Sequence, residues 1–311
     1  MHSHVHTAGS RLRLVLVLNL AITLVELLGG ILSGSLALLS DAAHNLGDAL
    51  SAATSYIALK IAGKPPTKKY SFGYRRAETL AAFFNSNLLL FTTALIAAES
   101  LTKLIHPEPV EAEAAAYTAG FALAANTLAV LLLHSHSSHS LNVKSVYLHM
   151  LGDVMASLAV LAAIVALKYT GLYVLDPLTS LAISLYIARE AASLARKAAE
   201  VLMNASPIDL EAVKEELEAI PGVADVHHCH AWMISEHEVA VECHVEVEGN
   251  PSLEEAQGII REARERLARL GIGHVTLQLE KNLCSEKGLV CGNSAAEKQE
   301  QHYAVAPGTG F

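Results

Sequence analysis

Six stretches of the chain, at roughly 14 to 32, 36 to 59, 78 to 104, 114 to 133, 143 to 167 and 172 to 195, are each apolar over about the 20 residues that a helix needs to cross a bilayer. Hydrocarbon cannot satisfy backbone N–H and C=O groups, so segments of this kind must be helical, with each amide bonded inside its own segment. An even number of spans returns both ends of the chain to one side. Apolar residues make up 52% of the 311 and charged residues 17%, which fits a membrane domain carrying a soluble part.

Lys and Arg assign the side. Arg11, Arg13, Lys60, Lys64, Lys68, Lys69, Arg75, Arg76, Lys144, Arg189, Arg196 and Lys197 fall on the terminal side, and only Lys103 and Lys168 on the other. The positive-inside rule therefore puts both termini in the cytoplasm. The start of the chain, with three histidines and then two arginines, has no small-residue cleavage site after a short apolar core. The first apolar run reads as a retained helix. The net charge of -9 argues against nucleic acid as a partner.

Within this apolar half one spacing occurs twice: His44 with Asp48, and His149 with Asp153. Residues i and i+4 share a helix face, so each pair presents an imidazole beside a carboxylate. At 1.5 Å per residue, Asp48 lies about 18 Å from the outer end of the second span and Asp153 about 15 Å from the inner end of the fifth. Both aspartates thus fall near the midplane. Two imidazoles and two carboxylates form a four-ligand set of the kind Zn2+ favours. The alternative is a pair of hydrogen-bonded clasps between helices, which the duplication disfavours. Asn19, Glu26, Glu78, Asn85, Asn87, Glu99, Asn126 and Asp176 read mostly as interhelical partners, and Asp41 as a possible outer carboxylate to His44. Gly29, Gly30, Gly34 and Gly47 read as sites of close helix approach.

From Ser206 the pattern becomes that of a small soluble domain. Ser206-Pro207 and an acidic first turn predict a helix to about Ile220, ended by Pro221-Gly222. Strands are expected at 223–234 and 238–247, then a helix from the Ser252/Glu255 capping box to about Leu270, then a strand at 274–280. The order αββαβ predicts a ferredoxin-like α+β domain over 206–281, with the helices on one face of the sheet. Alternation turns Val241, Cys243, Val245 and Val247 toward the core and leaves His244 and Glu280 on the exposed face. Cys243 reads as a buried small hydrophobe. All four cysteines (Cys229, Cys243, Cys284 and Cys291) lie in this half, and in a reducing compartment they read as free thiols or ligands. The tail, 282–311, becomes rich in Ala, Gln, Glu and Gly from Asn293 and reads as disordered.

The segments SGSLALLSDAAHNLGDALS (33–51), YSFGYRRAETLAAFFN (70–85), SLNVKSVYLHMLGDVMAS (140–157) and LDPLTSL (175–181) resemble the signatures of the cation diffusion facilitator family, and the likeness covers nearly all of 10–281. The resemblance implies a homodimeric divalent-cation/proton antiporter in the bilayer, with six membrane helices (14–200) and a cytoplasmic metal-binding and dimerisation domain. Its transport site maps onto His44, Asp48, His149 and Asp153, a set similar to that of the zinc-transporting branch. Manganese-type members carry acidic residues in place of the two histidines. The loop HSHSSH, with His134, His136 and His139, sits where the zinc branch has a His-rich loop thought to collect ions; a polar loop without ligand role is the alternative. VHHCHAW (226–232) implicates His227, with His244 and Glu280, in a cytoplasmic zinc site, and leaves His228 and His230 open as surface histidines. Cys284 and Cys291 resemble a terminal thiol pair, although six residues separate them where relatives have a C-x-x-C. His2, His4 and His6, in the N-terminal segment 1–13, resemble a short ligand motif that reaches a partner's domain. These features imply zinc export from a prokaryotic cell, across its inner membrane. A broader Cd2+, Co2+ and Ni2+ specificity and a non-transporting metal sensor are the alternatives. An intramembrane zinc hydrolase would need an HExxH motif, which does not occur in the sequence.

Overall fold

The computed structural model describes residues 2–134, 141–235, 238–284 and 287–290, and the side chains of 17–132, of Tyr147 and from 150 onward within them. Two compact units are present: Met1–Ala62 with Leu80–Ala198, and Gly63–Thr79 with Ala199–Phe311.

The first unit contains six long helices: α1 (His2–Ser33), α2 (Leu36–Ala62), α3 (Ala77–Ile105), α4 (Ala112–His134), α5 (Leu141–Thr170) and α6 (Leu175–Leu202). Each predicted apolar run coincides with one of them. Three stretches among the described residues are long and apolar enough to cross a membrane, Ala77–Ile105, Ala112–Leu132 and Met150–Thr170, and Val17–Ser33 is a shorter apolar stretch. Helix α2 carries Asp41, His44, Asn45 and Asp48 along its length, and α6 ends in the charged run from Arg189 to Glu200.

Small side chains let the helices approach closely. Ala37 and Leu38 of α2, Ala115 and Ala119 of α4, and Val160, Ile164 and Leu167 of α5 form one buried cluster. Gly29 of α1 lies against α4 so tightly that a Cβ there would stand 2.3 Å from Thr118 Oγ1, as the glycine pattern predicts. Gly34, at φ +72°, makes the reversal from α1 into α2 in a conformation that side-chain-bearing residues avoid.

The C-terminal part of the second unit follows the expected element order: α7 (Leu210–Glu218), β1 (Val223–Ser235), β2 (Glu238–Val247), α8 (Leu253–Arg269) and β3 (Ile272–Glu280). The sheet order is β1-β2-β3, antiparallel then parallel. Val213 and Leu217 of α7 and Ile259, Ala263 and Leu267 of α8 cover one face, packed on Val226, Val241, Cys243 and Val245. Cys229, Cys243 and Cys284 are free thiols, the first two buried in this core. The hydrogen bond with Cys229, together with burial, pushes the Cys243 thiol up, so it stays protonated. Helix α7 begins later than predicted. Asp209, not Ser206, is the N-cap and accepts from Glu211 N, while Ser206 Oγ donates to Ile208 O in a turn ahead of the helix. Ser252 and Glu255 form the predicted capping box.

Residues 63–79, between α2 and α3, pack with this domain. Arg75 pairs with Glu238, Arg76 Nη2 donates to Asn204 Oδ1 (2.5 Å) and Met233 O (3.0 Å), and Phe72 meets His274 edge-on.

Candidate metal centres

Helix α2 approaches α5 where His44 meets Asp153. His44 Nε2 lies 3.7 Å from Asp48 Oδ2, one turn along the same helix, and 3.8 Å from Asp153 Oδ1 across to α5. One ligand atom from each residue fits within a sphere of mutual separations of 4.8 Å, close enough for a single divalent cation to touch all three. Asp153 is 3% exposed, whereas His44 and Asp48 are half-buried. The cluster is therefore buried on its α5 side and more open on its α2 side. His149 is one helical turn before Asp153 on α5, and its side chain lies outside the described residues.

Other polar groups fall around this cluster as interhelical partners. Asn126 of α4 donates to Ser157 of α5 (3.0 Å), and Ser157 donates to Asp41 of α2 (3.2 Å). Asp41 is thus tied to α5 through the Ser157 hydroxyl. Asn45 donates to Glu26 (2.8 Å). Ser40, Ser100 and Ser180 link α2, α3 and α6. Asp176 of α6 accepts from the amides of Leu36 and Ala37 and from the Ser35 hydroxyl.

The second centre is built on the sheet. His227 of β1 stands opposite His244 of β2, and Glu246 of β2 opposite Glu280 of β3. His227 Nε2 is 3.1 Å from Glu280 Oε1, His244 Nδ1 is 3.0 Å from Glu280 Oε2, and the same nitrogen is 3.1 Å from Cys284 Sγ. These four residues offer ligand atoms that all lie within 4.8 Å of one another. Two imidazoles, a carboxylate and a thiol are a donor set that suits tetrahedral Zn2+. Cys284, which the spacing to Cys291 left in question, thus joins the predicted three.

Glu280 corrects an expectation. Alternation alone leaves it on an open sheet face, yet it is 4% exposed, because the chain after β3 folds back over that face. A bulge between His227 and His230, with His228 at φ 49°, releases two amides from the β1–β2 ladder. Those amides bond the returning segment: His228 N to Gly288 O (3.1 Å) and Cys229 N to Leu289 O (2.7 Å). Lys287 pairs with Glu246 alongside. Burial works to raise the Glu280 carboxyl, but hydrogen bonds from Cys284, Gln278 and His227 and the nearby His244 outweigh it and hold the group below the usual range.

Sequence reasoning missed Asp225. Its Oδ2 lies 2.8 Å from His227 Nδ1, and Lys214 of α7 pairs with its other oxygen at 3.3 Å. Burial acts to raise Asp225, yet the bonds from His227 and Lys214 prevail and lower it. An ionised carboxylate on Nδ1 orients the His227 ring with Nε2 toward Glu280; a metal held there would take Nε2 while Nδ1 kept its proton toward Asp225, the arrangement that a ligating histidine requires. The only signal for it was an acidic residue two positions from a candidate ligand, on the same strand face.

His230 pairs with Glu242 in the sheet and packs edge-on to His228, apart from the four-residue group. The side chains of His2, His4, His6 and His134, and residues His136, His139 and Cys291, lie outside the described residues, as does the stretch from Asn293. The backbone from His2 belongs to α1.

With both centres described, the chain's likeness to known proteins can be set beside them. A profile of the cation efflux transmembrane domain matches residues 12–203, and one of the cation efflux protein cytoplasmic domain matches 205–282. The chain is 31% identical to the zinc transporter ZitB of Pectobacterium atrosepticum, over 99% of this chain and 95% of that protein. It is 30% identical to a cadmium, cobalt and zinc/H(+)-K(+) antiporter of Bacillus velezensis (97% and 99%) and 33% identical to the metal cation efflux system protein CzcD of Cupriavidus metallidurans (92% and 91%). A helical membrane domain joined to a small α/β domain, both matched by the two halves of one family, makes this chain a member of the cation efflux, or cation diffusion facilitator, family in its zinc-transporting branch.

Proposed function

We infer that the protein is a zinc/proton antiporter that exports Zn2+ through a site made of His44, Asp48, His149 and Asp153. The convergence of His44, Asp48 and Asp153 from two helices of the apolar unit carries this reading. A transported ion needs a ligand set shared by elements that can move apart, and α2 and α5 supply it. Zn2+ binding needs neutral imidazole and ionised carboxylate, so protons and metal compete for the same atoms. In the inward-facing state the site takes Zn2+ from the cytosol; once it faces outward, external protons displace the ion and the protonated site returns.

All six long helices span the membrane in this reading, with α2 and α6 relatively polar because they line the path and its exit. Both termini are cytoplasmic, and the protein sits in a prokaryotic inner membrane. The packing of residues 63–79 with the C-terminal domain supports placing that loop and that domain on one side. The family's cytoplasmic-domain match supports a homodimer. His227, His244, Glu280 and Cys284 hold a resident zinc ion, a structural and regulatory ligand, with Asp225 orienting His227. The relatives named for cadmium and cobalt favour a second reading, in which the transport site also carries those ions.

Purified protein sealed into vesicles tests the activity. Zinc flux that rises with an imposed proton gradient is expected. Metal binding without any flux would instead make the protein a sensor.

A further inference from the structure

The face of α2 that carries His44 changes character along its length. Residues four apart share that face. Leu36 and Ser40, which precede His44 on it, are buried, whereas Asp48 is half-buried and Ala52 and Tyr56 are exposed. The site is therefore closed toward the start of α2 and open toward its end. With both termini in the cytoplasm, the closed end is the outer one. Four serines fill it. Ser40 Oγ lies 2.6 Å from Ser180 Oγ and 3.5 Å from Ser184 Oγ of α6, and Ser100 Oγ of α3 donates to Ser180 Oγ at 2.9 Å. Each of the four is at most 1% exposed. Ser180 and Ser184 follow Asp176 at four-residue intervals, so α6 turns one polar stripe toward α2.

The two seams of this end of α2 differ in kind. Toward α4 and α5 it is sealed by apolar contact through Ala37 and Leu38, which pack with Ala115, Val160 and Ile164. Toward α3 and α6 it is sealed by hydroxyls. Parting an apolar seam puts its surface into water at a cost that grows with area. A hydroxyl that leaves a protein partner takes a water molecule instead, at small net cost. Ser100 has a further alternative in its own helix, the carbonyl of Ile96 at 2.8 Å. The α2–α6 seam is thus the one that can open to water and close again, and once parted it presents oxygens to a departing ion. We propose that Ser40, Ser100, Ser180 and Ser184 are the outer gate of the zinc path: closed, as here, while zinc loads at His44, Asp48 and Asp153, and parted along the α2–α6 seam for release. The inference rests on the antiport reading and assigns its outward opening to this one seam.

A reversible cross-link tests the gate, because side-chain oxygens 2.6 Å apart mark a spacing that a disulfide can bridge. The full-length double variant Ser40→Cys/Ser180→Cys, sealed into vesicles and oxidised with diamide, should lose zinc flux relative to wild type oxidised alongside. A phosphine reductant should restore it. Flux equal to that of oxidised wild type with the cross-link formed, or a pair that fails to cross-link in zinc-free protein, overturns the proposal. Should the reduced double variant carry no zinc, Ser40→Cys alone decides. A membrane-impermeant maleimide outside right-side-out vesicles should modify it faster with zinc and a proton gradient imposed than without, and equal rates overturn the gate. No zinc flux in wild type would defeat the antiport reading and the gate with it, whereas wild-type flux with an indifferent cross-link defeats the gate alone.

Discussion

Asp176 at the start of α6 is the N-terminal cap of α2, 140 positions earlier in the chain: its Oδ2 accepts the Leu36 amide at 2.7 Å. Its Oδ1 accepts from Ala37 N at 3.4 Å and from the Ser35 hydroxyl. An accepting carboxyl at a helix N-terminus is favourable, and here it also satisfies buried amides. It fixes the helix that carries His44 and Asp48 to the start of α6.

Replacing Asp176 with Ala should therefore strand buried donors at a cost of about 1–3 kcal/mol. A lower melting temperature in detergent and reduced zinc flux are expected. Asn, which keeps one accepting oxygen, should lie between. A variant as stable as wild type would show the cap to be dispensable.

At the proposed transport site, Asp48→Ala and Asp153→Ala should each abolish zinc flux while leaving a folded, membrane-inserted protein. Each removes one of three clustered candidate ligands. Normal flux in either variant would remove that residue from the site. His44→Asp should shift the ratio of carried ions away from zinc toward harder cations such as Mn2+, since oxygen replaces a borderline nitrogen donor. Competition fluxes measure it.

In the C-terminal domain, Asp225→Ala touches no ligand atom directly, yet it frees the His227 ring. Loss of such an outer hydrogen bond lowers metal affinity about 10–100-fold. Zinc titration against a chelating indicator reads the change. Cys284→Ser should weaken binding and shift preference from Cd2+ toward harder ions, because it removes the only soft donor among the four. Equal affinities in wild type and both variants would place the ion elsewhere.

Removal of the α8 cap by Ser252→Ala should cost about 1 kcal/mol. Glu255 is the other half of that box, and its hydrogen bonds from Ser252 N and Oγ hold its carboxyl below the usual range. A depressed carboxylate contributes stability that is fully present above its unfolded pKa of 4.5 and is lost as pH falls through the folded value. The melting temperature of wild type should therefore fall on acidification through that window more than that of Glu255→Gln.

The sequence-readable parts of the molecule are those governed by local periodicity. Apolar run length located all six long helices, and Ser252 with Glu255 announced α8, because both signals act within a few residues. Alternation correctly turned Cys243 and Val245 inward. It failed at Glu280, whose burial depends on a segment with no periodicity that returns to bond the bulge at His228 and Cys229. Asp225 was invisible for a related reason: its importance comes from His227 and Lys214, and only the fold sets Lys214 beside it. The start of α7 went to Asp209 because Ser206 spends its hydroxyl on a turn instead of a helical amide.

The four donors at the sheet come from β1, β2, β3 and the returning segment, and Cys284 lies 40 residues beyond His244. An ion held by all four would act as a cross-link that closes long loops of the unfolded chain, and its binding free energy would become folding free energy. The stability of the domain would then rise with the free metal around it, so that the concentration of the transported ion is written into how firmly one part of its carrier is folded.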